Sequence, residues 1–152
     1  MFTRSLGSSG IIISAMGLGC WAIGGPFRRG ERQVGWGEVN DQESLRALRV
    51  ALERGITFLD TADVYGCGHS ERLVGQAVAG RREQVVIATK FASIFDEQTR
   101  QATGYDASPA FIRQSCEASL RRLDTDYIDL YQFHWGDYPV EKAATVRDVL
   151  EV

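Results

Sequence analysis

The sequence predicts an α/β protein, an N-terminal β-hairpin followed by four strand–helix units whose strands run parallel. Three observations carry this expectation. Short apolar runs (ITFLD at 56–60, VVIAT at 85–89, YIDLYQF at 127–133) alternate with stretches of helical periodicity. Start and stop signals for helices fall between those runs. Parallel neighbours need crossover connections of the length these helices provide.

The segment RSLGSSGIIIS at 4–14 reads as two strand pieces around a Gly-Ser-Ser-Gly turn, which places a hairpin at about 3–14. AMGLGCW is a short strand broken by Gly17 and Gly19, and a glycine-rich loop is expected from Gly24 to Gly37. Asn40 caps the first helix with Glu43 three residues on. Leu45, Leu48 and Leu52 form its apolar face, and Gly55 stops it. ITFLD is the next strand. A helix from about Ser70 to Ala79 follows, with Leu73, Val74, Ala77 and Val78 inward and Gly80 as its stop. VVIAT leads into a loop of mixed polarity over 91–107, long enough to suggest function. Ser108–Pro109 starts a helix, because proline suits the first helical position, and Ile112, Cys116, Leu120 and Leu123 give its stripe. YIDLYQF is the fourth strand, and 139–152 opens a last helix. No linker divides residues 1–152, so one domain is expected, with its strand–helix units over about 16–152.

Composition narrows the function classes. Hydrophobic residues make up 44% and charged residues 24%, as in globular domains, and the formal charge is −3 with both signs mixed. No basic block suggests nucleic acid, and no apolar run approaches a membrane span. Three scattered cysteines, Cys20, Cys67 and Cys116, argue against a disulfide framework and for a reducing, cytoplasmic setting. Cys67 and His69 lack a second ligand pair, so no metal site is expected. An open dinucleotide-binding sheet would show G-x-G-x-x-G before a helix. Gly17, Gly19 and Ala22 approach that pattern, but no helix begins there.

The chemistry gathers at strand ends. ITFL ends in Asp60, VVIAT in Lys90 and DLYQF in His134. In barrels of parallel strands such ends converge on one face. Tyr65 lies five residues past Asp60, on a turn loosened by Gly66 and Gly68, and could swing back over that face. A phenol beside an ammonium that an aspartate holds makes a sensible proton donor. His134 could hydrogen-bond a substrate oxygen and fix its orientation.

DTADVYGCGHSE (60–71), IATK (87–90) and IDLYQFH (128–134) resemble three signature segments of the aldo-keto reductase family. RSLGSSGIIISAMGLGCWAIGG resembles that family's N-terminal hairpin and first strand. The resemblance implies a (β/α)8 TIM-type barrel whose hairpin plugs the N-terminal mouth. It also implies a catalytic tetrad of Asp60, Tyr65, Lys90 and His134, with hydride from NADPH or less often NADH and a small carbonyl or alcohol as substrate. Gly19, Cys20, Trp21 and Asp60 match positions expected near the cofactor, and Trp21 and Trp135 follow strand ends where a substrate pocket is lined. A complete member is about twice this length, so the expectation is a truncated barrel, its first four units, whose open edges invite self-association. A cofactor-sensing or regulatory subunit and an inactive truncated product are the rival readings, since fold does not fix function.

Other residues carry plainer expectations. Asp63 reads as a loop-stabilising carboxylate and His69 as a helix-entry residue. Arg81–Arg82 and Arg121–Arg122 read as solvated helix ends. Phe27, Trp36 and Phe95 stand in long loops, where an aromatic either contacts ligand or pins the loop.

Overall fold

A computed structural model describes residues 1–134. The expected helix over 139–152 and Trp135 lie outside the described residues. The hairpin forms from β1 (Thr3–Ser5) and β2 (Ile12–Ser14), paired antiparallel. Ser14 and Thr57 exchange two bonds, Ser14 N–H to Thr57 Oγ1 at 3.0 Å and Thr57 N–H to Ser14 Oγ at 2.9 Å. Thr57 precedes β6 (Phe58–Asp60), so the hairpin is fastened at the N-terminal end of the strands.

Four strands build the parallel sheet: β3 (Gly17–Gly19), β6, β7 (Val86–Phe91) and β10 (Leu130–Phe133). Their spatial order is β3-β6-β7-β10, the order of the chain. Each crossover adds its strand to the same growing edge, which is how a barrel is wound. A doubly wound sheet would reverse direction.

Strand alternation divides the sheet into two faces. Leu18, Leu59 and Ile87 are level with one another and meet Leu48, Leu73, Val74, Ala77, Val78 and Leu123 from the helices in one core. Burial of each such side chain contributes about 1.5–3 kcal/mol. The other face carries Asp60 and, two positions beyond its partner Ala88, Lys90.

The helices follow their caps. In α1 (Asp41–Glu53) the Asn40 side chain accepts from Glu43 N–H, and Leu48 is the buried centre of the face. α2 (His69–Val78) buries the four expected residues and packs against both α1 and α3 (Pro109–Leu123). Ser108 caps α3 by accepting from Phe111 N–H. Its inward stripe differs from the expected one: Ile112, Ser115, Ser119 and Leu123 are buried, while Cys116 and Leu120 flank them. Ser119 has a polar partner there, its Oγ accepting from Arg122 Nη2 at 3.2 Å. Among the described residues no helix is long and apolar enough to cross a membrane.

The two expected loops are corrected. Residues 24–37 contain β4 (Phe27–Arg29) and β5 (Arg32–Val34), and 91–107 contain β8 (Ser93–Asp96) and β9 (Gln101–Tyr105). Each pair is an antiparallel hairpin, and β4 joins β9 in parallel to give a second sheet, β5-β4-β9-β8. This sheet rises from the end where β3 and β7 deliver their chains. Phe27 and Ala102 pack from it onto Val64 and Cys67 of the 61–68 loop.

Candidate active site

The three strand-end candidates, Asp60, Lys90 and His134, and the loop residue Tyr65 meet at the C-terminal edge of the parallel sheet. Lys90 Nζ lies 2.6 Å from Asp60 Oδ1, 2.7 Å from the Thr61 carbonyl and 3.4 Å from Tyr65 Oη. The ammonium is therefore pinned by two oxygens while its third donor reaches the phenol. The Tyr65 ring stands edge-on to His134 with centroids 5.6 Å apart, and stacks at 6.1 Å on Trp21. His134 is anchored by its own N–H, which donates to the Phe91 carbonyl at 2.9 Å.

Tyr65 is placed by its loop. Ser70 N–H donates to the Tyr65 carbonyl, and Tyr65 N–H to the Ala62 carbonyl. Gly24 and Gly66 bring the Trp21–Gly25 turn so close that a Cβ on Gly66 would stand 1.8 Å from the Gly24 oxygen. Gly66 has φ 61°, a left-handed conformation suited to glycine.

Burial, with the Lys90 ammonium next, holds the His134 imidazole down at about 4, so the ring is neutral at physiological pH. Its buried Nδ1 has no partner among the described residues. Cys20 points the other way. Its side chain is fully buried in the helix-side core, and burial followed by the Asp60 carboxylate pushes its thiol up to about 12. Cys20 N–H donates to the Asp60 carbonyl and its carbonyl accepts from Ser70 Oγ, so it braces the site through its backbone. Gly19 is level with Asp60 and leaves open space where a side chain would be.

Above these groups lies a cavity of about 210 Å³, lined by Trp21, Tyr65 and His134 on the strand side, by Phe27, Arg29, Val34, Ser93 and Tyr105 of the second sheet, and by Val64 of the 61–68 loop. Arg29, Ser93 and Tyr105 escaped the sequence reading. They reach the mouth only through the pairing of β4 with β9, and no local pattern signals a partnership some seventy residues apart. Of the loop aromatics, Phe27 is buried and both pins its strand and lines the cavity. Phe95 pins β8 against the same cluster, and Trp36 is exposed with its edge against Trp21.

A second polar group lies behind the sheet. Glu71, fully buried, accepts from Thr89 Oγ1 at 2.6 Å and from Arg122 Nε at 2.6 Å. Arg122 also binds Glu97, which pairs with Arg72. The expectation of solvated helix ends therefore fails for Arg122, and for Arg82 as well. Arg82 bonds Asp129, Thr125 and the Val85 and Tyr127 carbonyls. Periodicity places these arginines at helix ends but does not show the carboxylates that other elements bring. Asp63 is buried next to this group with Oδ1 unpartnered, and burial and then Glu71 hold its carboxyl well above the usual range. His69 opens α2 and binds Asp41 at 2.8 Å.

A parallel sheet wound in chain order, with ionisable groups gathered at its C-terminal edge, defines one half of a (β/α) barrel of enzyme type. The profile of the Aldo/keto reductase family matches residues 15–152, and the chain belongs to that family. It is 44% identical over 150 residues to aldo-keto reductase YhdN of Bacillus subtilis, covering 96% of this chain and 42% of that protein. The holo form of aldo-keto reductase AKR11C1 from Bacillus halodurans superimposes with a TM-score of 0.79 at 34% identity, over 99% of this chain and 47% of that one. An aldo-keto reductase from Klebsiella pneumoniae in complex with NADPH gives 0.68 at 31% identity, over 99% and 46%. The chain thus spans about two-fifths of the length of the curated relatives it matches.

Proposed function

We propose that the protein works as an NADP(H)-dependent oxidoreductase on a small carbonyl compound or its alcohol, with Asp60, Tyr65, Lys90 and His134 as its catalytic groups. The observation that carries this is a single ammonium, Lys90 Nζ, in contact with both the Asp60 carboxylate and the Tyr65 hydroxyl. In reduction Tyr65 gives its phenolic proton to the carbonyl oxygen, and in oxidation it takes that proton back. Lys90 stabilises the phenolate left behind, and Asp60 keeps Lys90 in place. The neutral His134 imidazole, with ring donor and acceptor free of described partners, orients the carbonyl oxygen.

NADPH, when bound, supplies the hydride that goes to the carbonyl carbon. The residues present fit its nicotinamide-ribose end. Asp60 spends one oxygen on Lys90 and its side chain is 35% exposed, leaving the other oxygen to accept from a hydroxyl. Gly19 leaves room beside it, and Trp21 offers a flat apolar wall. Cys20 contributes only through its backbone. The NADPH in the Klebsiella relative supports the choice of nucleotide, with NADH as the competitor to measure.

The test is Tyr65→Phe in the full-length enzyme. Loss of general acid catalysis costs about 10²–10⁴-fold, so turnover should fall by that factor while NADPH still quenches the protein's fluorescence with unchanged Kd. A variant with unimpaired turnover would refute the role.

A further inference from the structure

We infer that the cavity over Tyr65 selects carbonyl substrates bearing a carboxylate, which Arg29 binds; this rests on the reading of Tyr65 and His134 as the groups that meet the carbonyl. The cavity has two chemically different ends. Tyr65 and His134 stand ring to ring at one, and at the other Arg29 stacks on Tyr105, which pairs with Ser93 across β8 and β9. Phe27 and Trp21 add apolar wall to the cavity.

Arg29 differs from Arg82 and Arg122, the half-buried arginines that carboxylates hold. Arg82 lies on Asp129 and Arg122 on Glu71, each at 2.6 Å. Arg29 has no carboxylate and no hydrogen-bond acceptor among the described residues. Its guanidinium instead sits 4.5 Å from the centre of the Tyr105 ring. Stacking of this kind fixes the plane of the guanidinium while leaving its edge donors unused. The hydroxyls of Ser93 and Tyr105 likewise bond no described residue, although Ser93 is only 3% exposed. These donors face one cavity with no acceptor among the described residues, and a single anion can take up all of them. A carboxylate suits the planar fork, and about 210 Å³ suits a small substrate. Arg29 also reaches His134 electrostatically, last among the influences on that ring after burial and Lys90, which places it in range of the reacting end.

The test uses the full-length holoenzyme and two aldehydes of similar shape, 4-carboxybenzaldehyde and 4-methylbenzaldehyde, with NADPH oxidation as the readout. Wild type should favour the carboxylate by at least tenfold in kcat/KM, chiefly through KM, because charge-assisted hydrogen bonds are the strong ones. Arg29→Met should bring that ratio down at least tenfold, and Arg29→Lys should keep part of it as a point charge. A wild-type ratio near one overturns the inference, whether or not a variant folds. An Arg29→Met enzyme with an unchanged ratio overturns it too, and if its Kd for NADPH has weakened, Arg29 belongs to the cofactor. If NADPH binds but neither aldehyde is reduced, the proposed activity fails and this inference fails with it. Reduction of both aldehydes without preference sinks the inference alone.

Discussion

Replacing Gly66 with alanine should damage the enzyme far more than its stability. Two costs arise, and they separate cleanly. The first is conformational: φ at Gly66 is 61°, and a non-glycine residue in the left-handed region loses about 1–2 kcal/mol. The second is steric. The new Cβ would stand 1.8 Å from the Gly24 oxygen, where real contacts do not fall below 3.0 Å. The Tyr65 loop and the Trp21–Gly25 turn must therefore part by more than an ångström. Tyr65 is the adjacent residue, and its 3.4 Å contact with Lys90 is already long and has no slack to give. A displacement of about 1 Å in a catalytic group costs on the order of 10²-fold in rate. Gly80→Ala is the control, since Gly80 has φ 74° and open space around its Cβ position. Steady-state kinetics and urea denaturation on both variants of the full-length enzyme give the comparison. Both should lose stability through the first cost, and only Gly66→Ala should lose about 100-fold in kcat. Equal kcat in the two variants would refute the reasoning that the Gly24–Gly66 contact sets Tyr65.

Other expectations follow from the buried charges. Arg122→Leu strands the fully buried Glu71 carboxylate and should cost about 3–5 kcal/mol in denaturant unfolding; a loss below 1 kcal/mol would mean that water reaches Glu71. Asp63→Asn should raise the melting temperature at neutral pH. A carboxyl whose folded pKa is raised destabilises the fold once pH exceeds its ordinary value, and the amide removes that penalty; an unchanged or lower melting temperature counts against a strained Asp63. His134 works in the opposite pH range. Its folded value near 4 lies below the ordinary 6.5, so the unfolded chain takes up the proton first and this group erodes stability as pH falls from 6.5 toward 4. His134→Gln should flatten the stability profile in that interval, and an unchanged slope there would exclude the histidine as its source.

The parallel sheet was legible because its strands announce themselves locally. VVIAT and ITFLD are apolar on both faces, and the Asn40 and Ser108 caps mark where the intervening helices start. The meeting of the three strand-end residues was legible for a related reason. Once strands run parallel, the chemistry at their C-terminal ends converges whatever the loops do, and Asp60, Lys90 and His134 needed only that geometry. The second sheet was not legible. FRR, RQV and QATGY show no apolar alternation, because these strands form a small cover anchored by Phe27 and Ala102, with Val34 and Phe95 beside them, rather than one wall of a core. Their glycines and charges resemble a loop, and the bond that makes them a sheet joins Arg28 and Arg29 to Gln101 and Ala102. The inward stripe of α3 was misread for the opposite reason. Periodicity ranks by hydrophobicity, whereas Ser119 turns inward to accept from Arg122, which holds the buried Glu71 carboxylate, a polar group that the sequence does not display.

That polar group bears on how firmly the site is held. Alternation along β7 puts Lys90 on the face of the chemistry and Thr89 on the face of the helices. Thr89 binds Glu71 at the start of α2, and Glu71 binds Arg122 near the end of α3. The residue next to the Lys90 ammonium is thus tied by directional bonds to two helices. Apolar packing in the core that holds Leu73 and Ile87 would keep those helices close without fixing their sliding, since the hydrophobic effect has no direction. Ser70, beside Glu71, extends the tie to the other strands by donating to the Cys20 carbonyl and sharing a hydrogen bond with Thr61. Thr61 is also the residue whose carbonyl accepts from Lys90 Nζ. The first turn of α2 therefore links the ends of β3, β6 and β7 from behind, and the short Lys90–Asp60 contact is formed between strands whose relative register is already set by bonds on the other side of the sheet.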